Sequence, residues 1–91
     1  MSTATFRWSV STPDARVASG ECDFVVIPTV TGELGVMAGH AALVARVAPG
    51  DVRVTRAGSP STVVTVGYGL VDVRDNVATL LVEQASAPRP A

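Results

Sequence analysis

Leu70-Val71-Asp72-Val73-Arg74-Asp75-Asn76-Val77-Ala78-Thr79-Leu80-Leu81-Val82 lies inside residues 70–87, the longest run without glycine or proline in this 91-residue chain. A long helix would have room here and almost nowhere else, so its reading decides the fold class. The pattern is that of a strand. Val71 and Val73 alternate with Asp72 and Arg74, which puts one face in a core and the other in water. Asp75-Asn76 then separates two runs rich in β-formers, and Asn accepts positive φ, so the pair reads as a two-residue hairpin turn.

Outward from this hairpin the glycines and prolines leave windows 1–12 and 40–48, and otherwise pieces of seven residues or fewer. Helices shorter than about 12 residues are marginal on their own, whereas strands of four to eight fit. Phe6, Trp8 and Val10 alternate with Arg7, Ser9 and Ser11; Val52 and Val54 alternate with Asp51, Arg53 and Thr55. Cys22 to Ile27 is more continuously apolar, as a strand covered on both faces would be. In 40–48, Val44 and Val47 favour a strand. Gly58-Ser59-Pro60 and Pro49-Gly50 read as turns. Residues 86–91, with Pro88 and Pro90, read as a disordered tail. The prediction is one all-β domain over residues 1–85, in which seven to ten short strands close as a β-sandwich or flattened barrel.

Composition narrows function. Seventeen valines suit a pleated, half-buried surface. Seven Arg, no Lys and eight acidic residues leave a net charge of −1, with no basic stripe for a nucleic-acid backbone. One Cys and one His cannot make an internal disulfide or a four-ligand zinc site, so no metal or cofactor is expected. Cys22 reads as a reduced thiol, which fits a cytoplasmic setting. The N-terminus lacks the basic start and apolar core of a signal peptide, and no run approaches the roughly 18–20 apolar residues of a membrane span. A soluble chain is expected, and Met1 reads as a native start.

Catalytic constellations find little support. Cys22 and His40 would be the only nucleophile–base pair of that kind, but Cys22 opens an apolar strand and reads as a small core residue. Gly67-Tyr68-Gly69 has neither the third glycine nor the helix of a phosphate cradle; it reads as a bulge or tight bend whose backbone angles need glycine. The carboxylates Glu21, Asp23, Glu33, Asp51, Asp72, Asp75 and Glu83 are dispersed and read as solvated faces. Thr31-Gly32-Glu33-Leu34-Gly35-Val36-Met37-Ala38-Gly39-His40 stands out as an odd, glycine-rich loop. Its Leu34, Val36 and Met37 either fold into the core or present an apolar patch to a partner. Residue physics thus reaches a β-sandwich interaction module.

At these residues the chain resembles a family. Gly32-Glu33-Leu34-Gly35-Val36, Gly39-His40-Ala41, Leu43 and Pro49-Gly50 with Val52-Arg53 are similar to the N-terminal domain of the epsilon subunit of F-type ATP synthase. Upstream, Phe6 to Val10 and Ser19-Gly20 fit that domain's first strands. Gly67-Tyr68-Gly69-Leu70-Val71-Asp72-Val73 and Asn76-Val77-Ala78-Thr79-Leu80 fit its late hairpin. The resemblance covers residues 5–85. It implies a ten-stranded β-sandwich in the rotating central stalk, gripping the gamma subunit, resting on the c-ring, and reaching the catalytic head through gamma. It implies no catalytic residue of the chain's own, and a place at the cytoplasmic face of the membrane, touched only through the ring. It further implies a c-ring contact at Glu33, with Leu34 and Gly35 shaping the turn, and a gamma contact at Met37 and His40. Gly32, Gly39, Gly50, Gly67 and Gly69 would be turn or structural positions.

There are departures. Ala38 and Ala42 stand where the family usually has proline, and Tyr68 where it usually has a small residue. The family commonly carries a C-terminal helical hairpin that binds ATP and inhibits hydrolysis. This chain stops after the sandwich: if complete, it is expected to couple rotation without that brake, and if shortened, that regulation lies outside the sequence. The substitutions motivate an alternative, a stand-alone adaptor that kept the fold and binds another protein. A small-molecule-binding barrel would need a deep polar pocket around His40.

Overall fold

The structure, a computed structural model, describes residues 4–91. Residues 1–3 of the expected domain, including the Met1 read as a native start, lie outside the described residues. Ten strands run in chain order: β1 (Phe6–Ser11), β2 (Arg16–Cys22), β3 (Phe24–Thr29), β4 (Gly32–Met37), β5 (Leu43–Val47), β6 (Gly50–Arg56), β7 (Ser59–Val66), β8 (Gly69–Arg74), β9 (Val77–Val82) and β10 (Arg89–Pro90). The described residues contain no helix. The expected hairpin is β8–β9: Arg74 faces Val77, and Asp75 and Asn76 both take positive φ, 51° and 59°. That is the two-residue turn whose twist matches paired strands.

All ten strands belong to one curled sheet in the order β10-β7-β6-β3-β5-β8-β9-β1-β2, with β4 on the other edge of β3. β1 and β9 run parallel; the other pairs are antiparallel. The sheet folds over at β3. Phe24–Val26 pair with β6, and Thr29 pairs with Val47 of β5. The Ala48 N–H donates to the Pro28 carbonyl (3.0 Å), and the Val30 N–H donates to the Arg46 carbonyl (3.1 Å). Residues 48–50 therefore make a corner between two strands that run the same way, where the sequence predicts a reversing turn at Pro49-Gly50. The absent Gly50 side chain leaves room for Pro28, whose Cβ would lie 3.2 Å from an added Cβ.

The strand period sends Val10, Cys22, Val25, Ile27, Val47, Val52, Val64, Val71 and Leu80 fully inward. No polar or charged residue is buried among the described residues, so the core is an apolar layer between the two halves of the sheet. Burial pushes the Cys22 thiol up to about 11, with the neighbouring Asp23 carboxylate adding to the effect. The Asp23 Oδ2 accepts the Gly58 N–H (3.0 Å) and fixes the β6–β7 turn. That turn is Ala57-Gly58 (φ 54° and 77°), one residue before the predicted Gly58-Ser59-Pro60, and it leaves Pro60 opposite Thr55, next to a bulge.

Three more segments differ from expectation. Thr31–His40 is mostly strand β4 on the edge of β3, because the ring of Phe24 covers Gly35; an added Cβ there would stand 3.0 Å from Phe24 Cζ. Gly67 and Gly69 do not take positive φ. Close approach requires them instead: a Cβ on Gly69 would run into the Leu81 carbonyl and lie 2.6 Å from Val82 Cα. Residues 86–91 are not a free tail. Arg89 and Pro90 pair with Val63 and Thr62 of β7.

Gly69→Ala must push β8 from β9, and is expected to cost about 1–3 kcal/mol in urea unfolding; a loss under about 0.5 kcal/mol would contradict the close approach. Cys22 gives a second prediction. The folded thiol keeps its proton up to about 11 while the unfolded one releases it near 9.0, so its contribution is complete below the lower value and fades as pH rises through that window. Stability of the native chain should fall between those values, and Cys22→Ala should lose much of that slope. An unchanged slope would contradict it.

Candidate protein-contact surface

Glu33 stands at the start of β4, just after the β3–β4 turn. That turn is made by Val30 and Thr31, with Gly32 at φ 119°, and the Thr29 hydroxyl donates to the Gly32 carbonyl. Leu34 and Gly35 lie within the strand and do not shape the turn, as the resemblance would have them do. Period two separates the group. Glu33, Gly35 and Met37 point outward, whereas Val36 is buried and Leu34 packs against the core. The apolar residues of the motif therefore divide between the two expected fates: Leu34 and Val36 inward, Met37 outward and 61% exposed.

The Glu33 carboxylate is already paired in cis. Arg53 Nη2 on β6 donates to Glu33 Oε2 at 2.7 Å, across the outer face of β3. Both side chains remain more than half exposed, so the pair orients Glu33 while adding little stability. Other carboxylates likewise face separate guanidinium groups: Glu21 near Arg56 (3.7 Å), Asp72 with Arg74 (2.9 Å) and Asp51 with Arg89 (3.3 Å).

His40 lies three residues beyond the far end of β4 from the turn. Its N–H donates to the Met37 carbonyl (3.2 Å), and its Nδ1 is 2.7 Å from the Ala41 carbonyl. Gly39, at φ 80°, donates its N–H to Asn76 Oδ1 (2.8 Å), tying the β4–β5 connection to the β8–β9 turn. His40 lines an open hollow with Phe24, Gly35, Met37, Ala38 and Gly39. Cys22 is fully buried and shares no hydrogen bond with His40 among the described residues. Nor do those residues bring three His, Cys, Asp or Glu together as a metal set.

The most exposed apolar surface lies elsewhere, on the outer face of β5, β8 and β9. Val44, Leu70 and Leu81 stand 62%, 49% and 59% exposed there. Leu70 pairs directly with Leu81, and Arg46 sits opposite Leu70. Tyr68 and Val30, both more than half exposed, continue the surface at the end where Glu33 sits. Tyr68 and Leu70 line hollows on both sides, one reaching Ser11 and Pro13, the other reaching Val30 and Arg46. Of this surface the sequence singled out only Tyr68. The signal for the rest was faint: Leu70 and Leu81 occupy the polar phase of otherwise alternating strands, a reversal of pattern over single residues.

The family model of the ATP synthase delta/epsilon chain, beta-sandwich domain, matches residues 5–88. The chain is 42% identical over 85 residues to the ATP synthase epsilon chain of Alkalihalophilus pseudofirmus, covering 93% of this chain and 63% of that one. It is 37% identical over 84 residues to the ATP synthase epsilon chain 1 of Nitrobacter hamburgensis, covering 92% and 62%. Among solved structures, it superposes with a TM-score of 0.79 at 26% identity on a chain of the Euglena gracilis mitochondrial ATP synthase, solved as OSCP/F1/c-ring, covering 89% of this chain and 51% of that one. A chain of the Tetrahymena thermophila central stalk/c-ring shares the fold, with a TM-score of 0.71 at 16% identity over 89% of this chain and 65% of that one. The chain thus spans under two thirds of the length of these curated relatives. With the family model matched from residue 5 to residue 88, it belongs to the ATP synthase delta/epsilon chain family, whose β-sandwich domain it forms.

Proposed function

We propose that the chain is a non-catalytic rotor subunit of an F-type ATP synthase, an epsilon-type part of the central stalk that binds the gamma subunit and the c-ring and couples rotation of the ring to ATP synthesis. The observation that carries this reading is a rigid β-sandwich of the epsilon family with an exposed apolar face beside an exposed carboxylate. An apolar surface of this kind on a small domain marks a protein contact. In this reading gamma docks on the outer face of β5, β8 and β9, with Leu70 and Leu81 at its centre and Tyr68 as an aromatic anchor. In the same reading Met37 and His40, whose hollow opens beside Phe24 and Gly35, make a separate gamma contact.

The c-ring meets the end that carries Glu33 and the Val30-Thr31 turn, with Gly35 on the same outward row. Leu34 supports this end from the core side. Glu33 arrives paired with Arg53, so a basic group on the ring would share the carboxylate with Arg53, and the ion pair serves orientation and specificity more than affinity. The membrane is reached only through the ring, and the catalytic head only through gamma.

Two measurements test this. Expressed with gamma and c-ring from its own cell, the native chain should co-purify with both, and Leu70→Asp with Leu81→Asp should lower gamma affinity by roughly tenfold or more while leaving unfolding cooperative. A clean monomer without affinity for gamma would instead favour the stand-alone adaptor. Glu33→Ala should change folding stability by no more than about 0.2–1 kcal/mol yet weaken ring association. Unchanged ring association would remove Glu33 from the contact.

A further inference from the structure

We infer that Ala85–Ala91 is a built-in seal on the outer edge of β7, which keeps that edge from accepting the same segment of a second copy of this chain. β7 is an eight-residue strand, and its inner edge is paired with β6 along its length. Its outer edge would otherwise present a row of unpaired N–H and carbonyl groups, the usual template for strand addition. The chain comes back to cover it. Ala85 bridges Val66, the Ser86 N–H donates to the Thr65 carbonyl (2.9 Å), Arg89 and Pro90 face Val63 and Thr62, and the Ala91 N–H donates to the Ser61 carbonyl (3.3 Å).

Two side chains fasten the segment: the Ser86 hydroxyl donates to the Thr65 carbonyl (3.4 Å), and Arg89 makes the wider reach. Arg89 reaches across the outer face, donating through Nη1 to Thr65 Oγ1 (2.9 Å) and through Nη2 to Asp51 Oδ2 (3.3 Å). The Thr65 hydroxyl donates in turn to Asp51 Oδ1 (2.6 Å). That hydrogen bond, and then the Arg89 charge, hold the Asp51 carboxyl below its ordinary range. The anchor thus joins three elements through a carboxylate kept ionised and aimed at the guanidinium.

The prolines finish the edge. In an antiparallel ladder, alternate residues direct their N–H toward the partner strand. Ala91 donates to β7, so the Arg89 N–H points the same way, and positions 88 and 90 point away from the sheet. Both are proline, with no N–H to offer. A further strand approaching from outside therefore meets a rim without donors at those positions, and the sheet stops there. The segment that fits the β7 edge in cis is carried by every copy of the chain. Loosening it exposes an edge that a neighbour's identical segment matches, the route by which exchange dimers form.

The test uses the full chain with Arg89→Ala, and separately with Pro88→Ala and Pro90→Ala together. In Arg89→Ala, hydrogen exchange of the Val63 amide, on the side of β7 that faces the segment, should accelerate at least tenfold. The Val64 amide, which faces β6, should not change. Sedimentation should then show concentration-dependent dimers beyond those of the native chain. The double proline variant should keep Val63 protected yet also self-associate, because its rim has regained donors. Unchanged Val63 exchange in Arg89→Ala would overturn the anchor. Faster exchange without added association, or a double proline variant that associates no more than the native chain, would overturn the seal.

Discussion

One strand holds the two halves of the molecule together. β3 pairs with β4 along one edge and with β6 and β5 along the other, so the sheet turns its corner within one continuous strand. Val25 and Ile27 point from it into the core with no exposure. Its outward residues, Phe24 and Pro28, lie over positions that must be bare: Gly35 beneath the Phe24 ring, and Gly50 beside Pro28. A side chain at either glycine would crowd the Phe24 or Pro28 ring, which would have to give by a few tenths of an ångström. The same economy recurs where β8 meets β9, at Gly69 against the Leu81 carbonyl.

Much of this was legible in local pattern. The β8–β9 hairpin followed from alternation around Asp75-Asn76, because a two-residue turn is specified by residues adjacent in sequence. The strands of Phe6–Ser11 and Gly50–Arg56 were legible for the same reason. Edge strand β4 was hidden by glycine. Gly32 and Gly39 bound it at turns with positive φ, but Gly35 lies in the strand and is acceptable there only because an aromatic ring eleven residues earlier covers it. The tail was hidden by proline. Pro88 and Pro90 read as disorder in a list of residues, yet they suit the outer rim of a sheet, and the Arg89 anchor involves Asp51, which is far away in sequence. Around Tyr68 the sequence pointed to backbone angles, whereas at Gly69 the constraint is the approach of another strand.

The contact surface was legible only in part. Motif spacing drew attention to Glu33, Met37 and His40, and the structure separates them to the two ends of one strand. The broader apolar face of Val44, Leu70 and Leu81 arises because three adjacent strands each place one apolar residue on the solvent side, a coincidence visible only once the register is known. A sandwich with paired strands and an apolar interior is stiff, which suits the proposed role of transmitting force through its surfaces. The sealed β7 edge fits the same requirement, since it directs association to side-chain faces and away from backbone pairing.

The central claim is that this domain works by docking the β5, β8 and β9 face onto gamma. Amide hydrogen exchange of the full chain, alone and bound to gamma from its own cell, tests it most directly. The account predicts added protection concentrated in Leu43–Val47, Gly69–Arg74 and Val77–Val82, with Ser59–Val66 unchanged. Protection centred on Ser59–Val66, or spread evenly over the sandwich, would contradict it.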